Sequence, residues 1–393
     1  MQVEVCFSSR QTSNLQHKKE LELRRIASFL PKQDWIVVGW VIAIKLLLFL
    51  VGVKSYPMLW DRYEPRPDKW LQIWDQWDFG YYREIAEFGY GAYGTGDGSL
   101  AFYPLFPWLM RLVTYITTSY LVAGLLISSI ASIIAAIALR RLVQLDYADS
   151  VAMRSVWFFL IFPTAYFLHV PYSESLFIAL ALTSLMAART ERWWMAGVLG
   201  AFCWMTRGVG VVLVPALAAE ATQQYYARRS WDWRWVWIAI VPAGFAVYLL
   251  INWHIAGNVF AFLQTRRVLF HQSFALPSVG LRLAIRAHYP TPDEAEMMGV
   301  QQLIFVALGF VCMMVSWIKL RPVYAVWMTA MWFLVTSVSF LQSMPRYTLT
   351  MFPIFILFAV LSRNRFWCGV ITVWSLLFFA LFAVLFARGE LAF

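Results

Sequence analysis

Charge is what this sequence has least of. Asp, Glu, Lys and Arg supply 14% of its 393 residues, where a soluble domain carries roughly a quarter. Hydrophobic residues make up 61% and the mean hydropathy is +0.62, so a water-soluble globule is excluded and lipid is the solvent. Cysteine is also scarce. Of four residues, Cys203, Cys312 and Cys368 sit in apolar runs and Cys6 near the start, with no CxxC pair, so neither a disulfide framework nor a zinc site is readable and the redox compartment stays open. There is no GxGxxG or P-loop motif, no internal repeat and no low-complexity segment. The absence of an Asn-x-Ser/Thr sequon disfavours an endoplasmic reticulum lumen. The first 33 residues are polar, with Arg10, Lys18, Lys19, Arg24, Arg25 and Lys32, and lack the apolar core and cleavage site of a signal peptide, so the first apolar run is expected to be retained. The net charge of +10 comes from small basic clusters between apolar runs. These read as topology signals, and no nucleic acid is expected as a partner.

What is there is a series of apolar runs: 35 to 53, 119 to 139, 150 to 163, 171 to 188, 234 to 253, 300 to 318, 323 to 341, 347 to 361 and 366 to 387. Each crossing of a hydrocarbon core needs about 20 residues, so the expected fold is an all-α integral membrane protein with about 11 transmembrane helices. Between 194 and 220 the apolar stretch is broken at Arg207-Gly208, and two short spans are expected to meet there. With the N-terminus in the cytoplasm, Arg140-Arg141, Arg189, Arg192, Arg228-Arg229, Arg234, Lys319, Arg321, Arg363 and Arg365 all fall in cytoplasmic turns, as the positive-inside bias requires. Residues 1–33 are then a cytoplasmic tail and 34–393 a single membrane domain. Its first outer loop is 54–118, with 103 to 117 as an interfacial helix entered through Pro104 and Pro107, and its second is 254–298.

Acids gather in the first of these loops. Between 54 and 100 there are eight against five bases. Within the segment 74–90, Trp74, Trp77, Tyr81, Ile85 and Phe88 recur at three and four residues, which predicts one apolar-aromatic helix stripe lying in the membrane interface. Asp75 and Asp78 would stand beside it one turn apart. A carboxylate there can take a proton from a sugar hydroxyl, although an anchoring helix with solvated acids has the same pattern. Periodicity leaves Asp75 and Asp78 equivalent.

The run from Trp77 to Tyr90, WDFGYYREIAEFGY, resembles the WD-x-x-x-[FY]-x-x-IA-x-x-GY signature of the PIG-V family, which comprises GPI mannosyltransferase II-like proteins and prokaryotic relatives. Four further motifs follow in family order. Phe102 to Pro107 (FYPLFP) resembles FFPL[FY]P, Tyr172 to Phe177 (YSESLF) resembles YSE[SA]LF, Thr206-Arg207-Gly208 the (S/T)R turn, and Pro345-Arg346-Tyr347 the late PRY. The resemblance spans about 75 to 347. It implies a GT-C type polytopic glycosyltransferase, akin to prokaryotic members, using polyprenyl-phosphate-mannose as donor and a lipid-linked glycan or inositol lipid as acceptor on the extracytoplasmic or lumenal face. It also implies a carboxylate in the first outer loop as base, and Asp78 is the position that matches. A bacterial or archaeal plasma membrane is then the expected location, or the endoplasmic reticulum if the source is eukaryotic.

Other residues are candidates around that base. Asp75, Trp74, Trp77, Tyr82, Tyr103, Tyr172 and Glu174 are placed on the acceptor and sugar side, the rings as stacking faces and Glu174 as a partner for a sugar hydroxyl or an arginine. Arg207 and Arg346 reach the same face. Guanidinium is permanently charged and forks onto two phosphate oxygens, so both are assigned to the donor phosphate. Arg266 and Arg267, with His271 and His288 nearby, form a second cationic cluster, Lys45 lies near the centre of the first span, and these three are also assigned to the donor phosphate. His169 and His254 read as packing residues. No cofactor is expected. Asp75 beside Asp78 leaves room for a divalent metal, but two carboxylates without histidine or further acids make a poor site. The rival readings are a transporter or flippase of a lipid-linked sugar, and a GT-C enzyme with a different sugar donor.

Overall fold

Apolar composition drives nearly every segment into helix, because backbone groups in lipid must find their partners within the segment. The computed structural model describes residues 31–59, 70–94, 98–286 and 295–390. The tail cations before Pro31, Cys6, the stretch 60–69 of the first loop and His288 lie outside the described residues. The chain enters through α1 (Lys32–Leu59), the short α2 (Asp78–Phe88) and α3 (Leu105–Thr117), then α4 (Tyr120–Gln144), α5 (Asp149–Ile161) and α6 (Glu174–Arg189). It continues with α7 (Trp193–Thr206), α8 (Leu213–Arg228), α9 (Ala243–Ala256), α10 (Ala261–Leu269) and α11 (Pro277–Arg286). The last third holds α12 (Ala295–Lys319), α13 (Pro322–Thr336), α14 (Met344–Thr350), α15 (Pro353–Leu361) and α16 (Arg365–Ala387). Among the described residues there is no strand, only one isolated bridge between Phe274 and Val338.

Among the described residues, five helical stretches are long and apolar enough to cross a membrane: Lys32–Lys54, Tyr120–Gln144, Trp233–Ala256, Val300–Lys319 and Arg365–Ala387. A sixth is counted if α14 and α15, bent by 80° at their junction, are one broken span. The expected eleven crossings exceed this number because α5, α6, α7 and α13 are 13 to 16 residues each. At 1.5 Å per residue such helices reach about 20–24 Å, short of the hydrocarbon thickness. The segment 103 to 117 forms α3, 13 residues after Pro104. The break anticipated at Arg207 is also present. Arg207 is extended (φ −154°, ψ 147°), with α7 ending before it and a 3₁₀ turn, Gly208–Val212, running into α8 after it.

Helix α4 is the spine. Its buried face is built of small residues, among them Ala123, Gly124, Ser128, Ala131, Ser132 and Ala135, which let neighbouring backbone approach closely. A Cβ on Gly124 would lie 2.8 Å from Pro171 and 3.4 Å from Phe79, so this glycine admits both the 162–173 connection and α2. Ser128 Oγ donates to the Tyr172 carbonyl at 3.1 Å. Helices α1, α3, α5 and α6 pack around α4, and the connection between α5 and α6 is buried throughout. It is this sealed connection, fixed on the spine, that carries Tyr172 and leads into Glu174 at the start of α6.

At the opposite end of the bundle, arginines expected in cytoplasmic turns meet acids from other parts of the chain. The buried Asp34 receives Arg140 at 2.5 Å and Arg141 at 2.5 Å, while Arg189 meets Asp146 at 2.8 Å and Arg321 meets the buried Glu220 at 3.1 Å. These pairs fix helix ends. Breaking one by removing a single partner would cost about 3–5 kcal/mol, because a charge would be stranded.

Candidate active site

The predicted helix from Trp74 to Phe88 does not form as one piece. Gln72–Trp74 is a 3₁₀ turn, Trp77 adopts φ 51° and ψ −116°, and α2 starts at Asp78. A positive φ on a residue with a bulky side chain is strained backbone that surrounding contacts must hold in place. They do so through one phenol. The Tyr172 hydroxyl donates to the Gln76 carbonyl at 2.8 Å and accepts from the Asp78 backbone N–H at 3.2 Å, gripping the chain on both sides of Trp77. The kink separates residues that periodicity placed on one face. Trp74 is 0% exposed, packed on Phe49 and Phe386, a burial worth about 2–3 kcal/mol, whereas Trp77 is 43% exposed. Trp74 is therefore a core residue and offers no ring to a sugar.

The kink also separates the two acids. Asp75 turns outward to Arg83 at 2.6 Å. Asp78, at the N-terminus of α2 where the helix dipole favours a carboxylate, accepts from Arg346 Nη1 at 2.5 Å. The same guanidinium donates through Nε to Glu174 Oε1, and Arg207 Nη1 reaches that oxygen at 2.5 Å and Ser173 Oγ at 3.1 Å. Four charges from α2, α6, α14 and the α7 end thus form one chain, Asp78, Arg346, Glu174, Arg207. Glu174 is 0% exposed while the Asp78 side chain is 23% exposed. Glu174 is assigned on this geometry to hold the two arginines; it is sealed from any sugar. Asp78 alone of the pair is open to a substrate.

Aromatic rings set the arginines in place. The Arg346 guanidinium carbon lies 4.8 Å from the ring centres of both Phe167 and Tyr172, and Thr164 Oγ1 donates to the Pro345 carbonyl at 3.0 Å, tying the residue before Arg346 to the same connection. Arg207 lies 5.6 Å from the Tyr347 ring. Both arrangements favour a cation over an aromatic face. Arg266, on α10, lies close to Tyr347, Tyr103 and Tyr248. Sequence reasoning named Arg266 but gave no signal for Tyr347 as the residue that gathers Arg207 and Arg266.

The remaining aromatics are supports. Tyr82 is buried, edge-on to Phe102, Phe106 and Tyr172, with its hydroxyl 2.8 Å from Ser173 Oγ. Tyr172 is likewise fully buried, and Tyr103 stacks on Tyr248 with ring centres 4.0 Å apart. The rings of Tyr82 and Tyr172 are covered, which corrects their assignment as stacking surfaces for a sugar, while the half-buried Tyr103 gives one face to Tyr248. Burial, reinforced by the charges of Asp78 and Glu174, holds the Tyr82 hydroxyl well above the usual phenol range. Burial does the same for Tyr103, with the Arg266 guanidinium pulling the other way. Both phenols therefore keep their protons and can donate hydrogen bonds.

Two cations assigned to the donor phosphate lie elsewhere. Lys45 Nζ donates to the Leu125 and His169 carbonyls at 3.3 and 3.2 Å and to Ser129 Oγ; its three protons are used in fastening α1 to α4 and to the buried connection. Arg267 is exposed on α10, whereas its neighbour Arg266 is half-buried beside Tyr347. Among the described residues no group of three or more His, Cys, Asp or Glu side chains is placed to hold a metal ion.

Comparison with known proteins covers the stretch that holds four of the five motifs. The sequence profile of the mannosyltransferase (PIG-V) family matches residues 53–234, a stretch that contains Asp78, Tyr172, Glu174 and Arg207. No curated protein matches the chain. Among solved structures the chain is similar to the apo crystal structure of the Archaeoglobus fulgidus oligosaccharyltransferase, at 12% identity and a TM-score of 0.44. That similarity covers 90% of this chain, which spans only 56% of the length of the other.

Proposed function

We propose that this chain, whose sequence is similar to mannosyltransferases over residues 53–234, transfers one mannose from polyprenyl-phosphate-mannose to a lipid-linked glycan or inositol-lipid acceptor on the extracytoplasmic or lumenal face of its membrane. The observation that carries the reading is the substrate-accessible Asp78 carboxylate bound to Arg346, itself held by the buried Glu174 beside Arg207. Three guanidiniums, Arg207, Arg266 and Arg346, stand against two carboxylates, which leaves one positive charge for the single negative charge of a phosphodiester.

In this reading the donor phosphate competes for the Arg346 nitrogen that Asp78 occupies in the free protein. Asp78 is thereby released to the acceptor hydroxyl. It takes that proton as the hydroxyl oxygen bonds to the anomeric carbon, and the bond from that carbon to the phosphate oxygen breaks from the opposite side. Configuration inverts, the proton resides on Asp78, and the polyprenyl phosphate leaves with its new charge stabilised by the arginines. Glu174 keeps those arginines aimed without contacting the sugar. The chemistry needs no cofactor, and the shorter helices, counted as crossings of a locally thinned bilayer, give about eleven spans with this face outward.

Detergent-purified protein, which has no sealed compartment, is incubated with labelled polyprenyl-phosphate-mannose and a panel of lipid acceptors. A new mannosylated lipid is expected. Movement of lipid-linked sugar in vesicles without any product in detergent would identify a transporter instead.

A further inference from the structure

We propose that the second outer loop, through α10 and α11, rests in the headgroup layer of the membrane and binds anionic phospholipid there. The inference needs only the membrane reading of the chain and does not depend on mannosyl transfer. From 254 to 286 the sequence holds four arginines, two histidines and no Asp or Glu. The acids of the loop, Asp293, Glu294 and Glu296, all come after residue 292. Helix α11 packs on α12 and α13, which from Val300 to Thr336 carry no acid either. In the topology read from the sequence this loop lies outside, where the positive-inside bias would deplete arginine, so orientation does not account for the basic run.

The surface is firmly held. Ala275 N–H donates to the Ser337 carbonyl at 3.2 Å and Ser339 N–H to the Ser273 carbonyl at 2.8 Å, on either side of the Phe274–Val338 bridge. A Cβ on Gly280 would come within 2.5 Å of the Val338 carbonyl oxygen, so glycine is what lets α11 lie this close to the same strip. Yet Phe274 is 87% and Leu276 68% exposed, with Val279, Leu283 and Ile285 exposed beside them. A fixed apolar patch of this kind marks an interaction surface. At 3.6 residues per turn, Arg282 and Arg286 stand about 200° and 240° round the helix from Gly280, with Ile285 on one flank and Val279 and Leu283 on the other. Arg267 is exposed on α10. Arg282 donates to the Ser278 carbonyl of its own helix at 3.2 Å, and among the described residues none of these three guanidiniums meets a carboxylate. Position supplies the occupant. The loop joins the ends of two apolar stretches, Trp233–Ala256 and Val300–Lys319, each long enough to cross a membrane, which puts it at headgroup depth. Apolar side chains there enter the acyl boundary, while arginine stems lie along them and bring the guanidiniums to lipid phosphates. Helix α10 also carries Arg266 beside Tyr347, so lipid bound here would steady the helix that bears that arginine.

Lipid photolabelling tests this. Full-length protein is placed in nanodiscs of phosphatidylcholine and phosphatidylglycerol containing a trace of either lipid with a diazirine at its headgroup, and the labelled peptides are mapped. The phosphatidylglycerol probe is expected to label 263–286 about tenfold more than the phosphatidylcholine probe. Arg282→Gln combined with Arg286→Gln should bring it down to the phosphatidylcholine level; both side chains are exposed, so the melting temperature should hold. High salt should narrow the same gap in the unaltered protein, a measurement that needs no variant. Equal labelling by the two probes, a gap that survives both the double substitution and high salt, or labelling confined to other peptides overturns the proposal. Loss of labelling on adding millimolar glycerol 3-phosphate would also overturn it, by marking a site for soluble phosphate. Labelling requires neither donor nor turnover, so a protein that labels as expected but transfers no mannose contradicts the enzymatic reading alone.

Discussion

Arg346 grips two carboxylates of unequal exposure, the accessible Asp78 through Nη1 and the sealed Glu174 through Nε. One guanidinium thereby couples a residue that can meet substrate to one that cannot. Replacing it by lysine keeps the charge but removes the fork, since an ammonium cannot serve both acids in this geometry. Arg346→Lys is expected to raise the donor KM by about tenfold or more while the acceptor KM moves little. Steady-state kinetics with each substrate varied in turn checks this, and equal effects on the two constants would argue against a phosphate contact.

Glu174 is expected to behave differently. Glu174→Gln strands Arg207 and Arg346 without their buried anion, a loss of about 3–5 kcal/mol. The variant should melt earlier in detergent and also lose activity. A variant with wild-type melting and impaired turnover would mean that Glu174 touches substrate.

Tyr172→Phe removes a single hydroxyl that holds Gln76 and Asp78 on either side of the strained Trp77. The stability cost should be modest, about 1–2 kcal/mol for the lost hydrogen bonds. Turnover should fall more than binding, because Asp78 would lose its fixed position while the arginines remain. A variant whose KM values rise at constant kcat would show that Tyr172 binds substrate directly.

Lys45→Met tests the reassignment of Lys45. It leaves carbonyl and hydroxyl oxygens unserved at the junction of α1, α4 and the 162–173 connection, a destabilisation of about 1–3 kcal/mol. Thermal unfolding should register this, and the donor KM should stay within about twofold of wild type, the scatter allowed for a residue without ligand contact. A large rise in donor KM would return Lys45 to the phosphate site.

Much of this site was legible in the order of motifs. Asp78, Glu174, Arg207 and Arg346 lie up to 268 positions apart, yet each sits in a short run with recognisable neighbours, and the break at Arg207 could be read from two half-length apolar pieces. What escaped reading was local backbone. A three-and-four spacing is blind to a single residue with positive φ, so Trp74 and Trp77 looked equivalent although one ends in the core and the other at the surface. Long-range contact was equally hidden. Nothing in composition separates Arg266, which turns to Tyr347, from its neighbour Arg267, and no periodicity marks Tyr172 as a clamp on a loop almost a hundred residues earlier, at |i−j| of 96.

The central claim is that Asp78 removes the acceptor proton. Its most direct test is mannosyl transfer by purified Asp78→Asn beside wild type, with labelled polyprenyl-phosphate-mannose and the acceptor on which the wild type acts. Asparagine preserves the shape at the start of α2 and cannot serve as a base, so transfer should fall by about 10²–10⁴-fold in a protein that remains folded and membrane-inserted. Turnover at the wild-type rate would contradict the account.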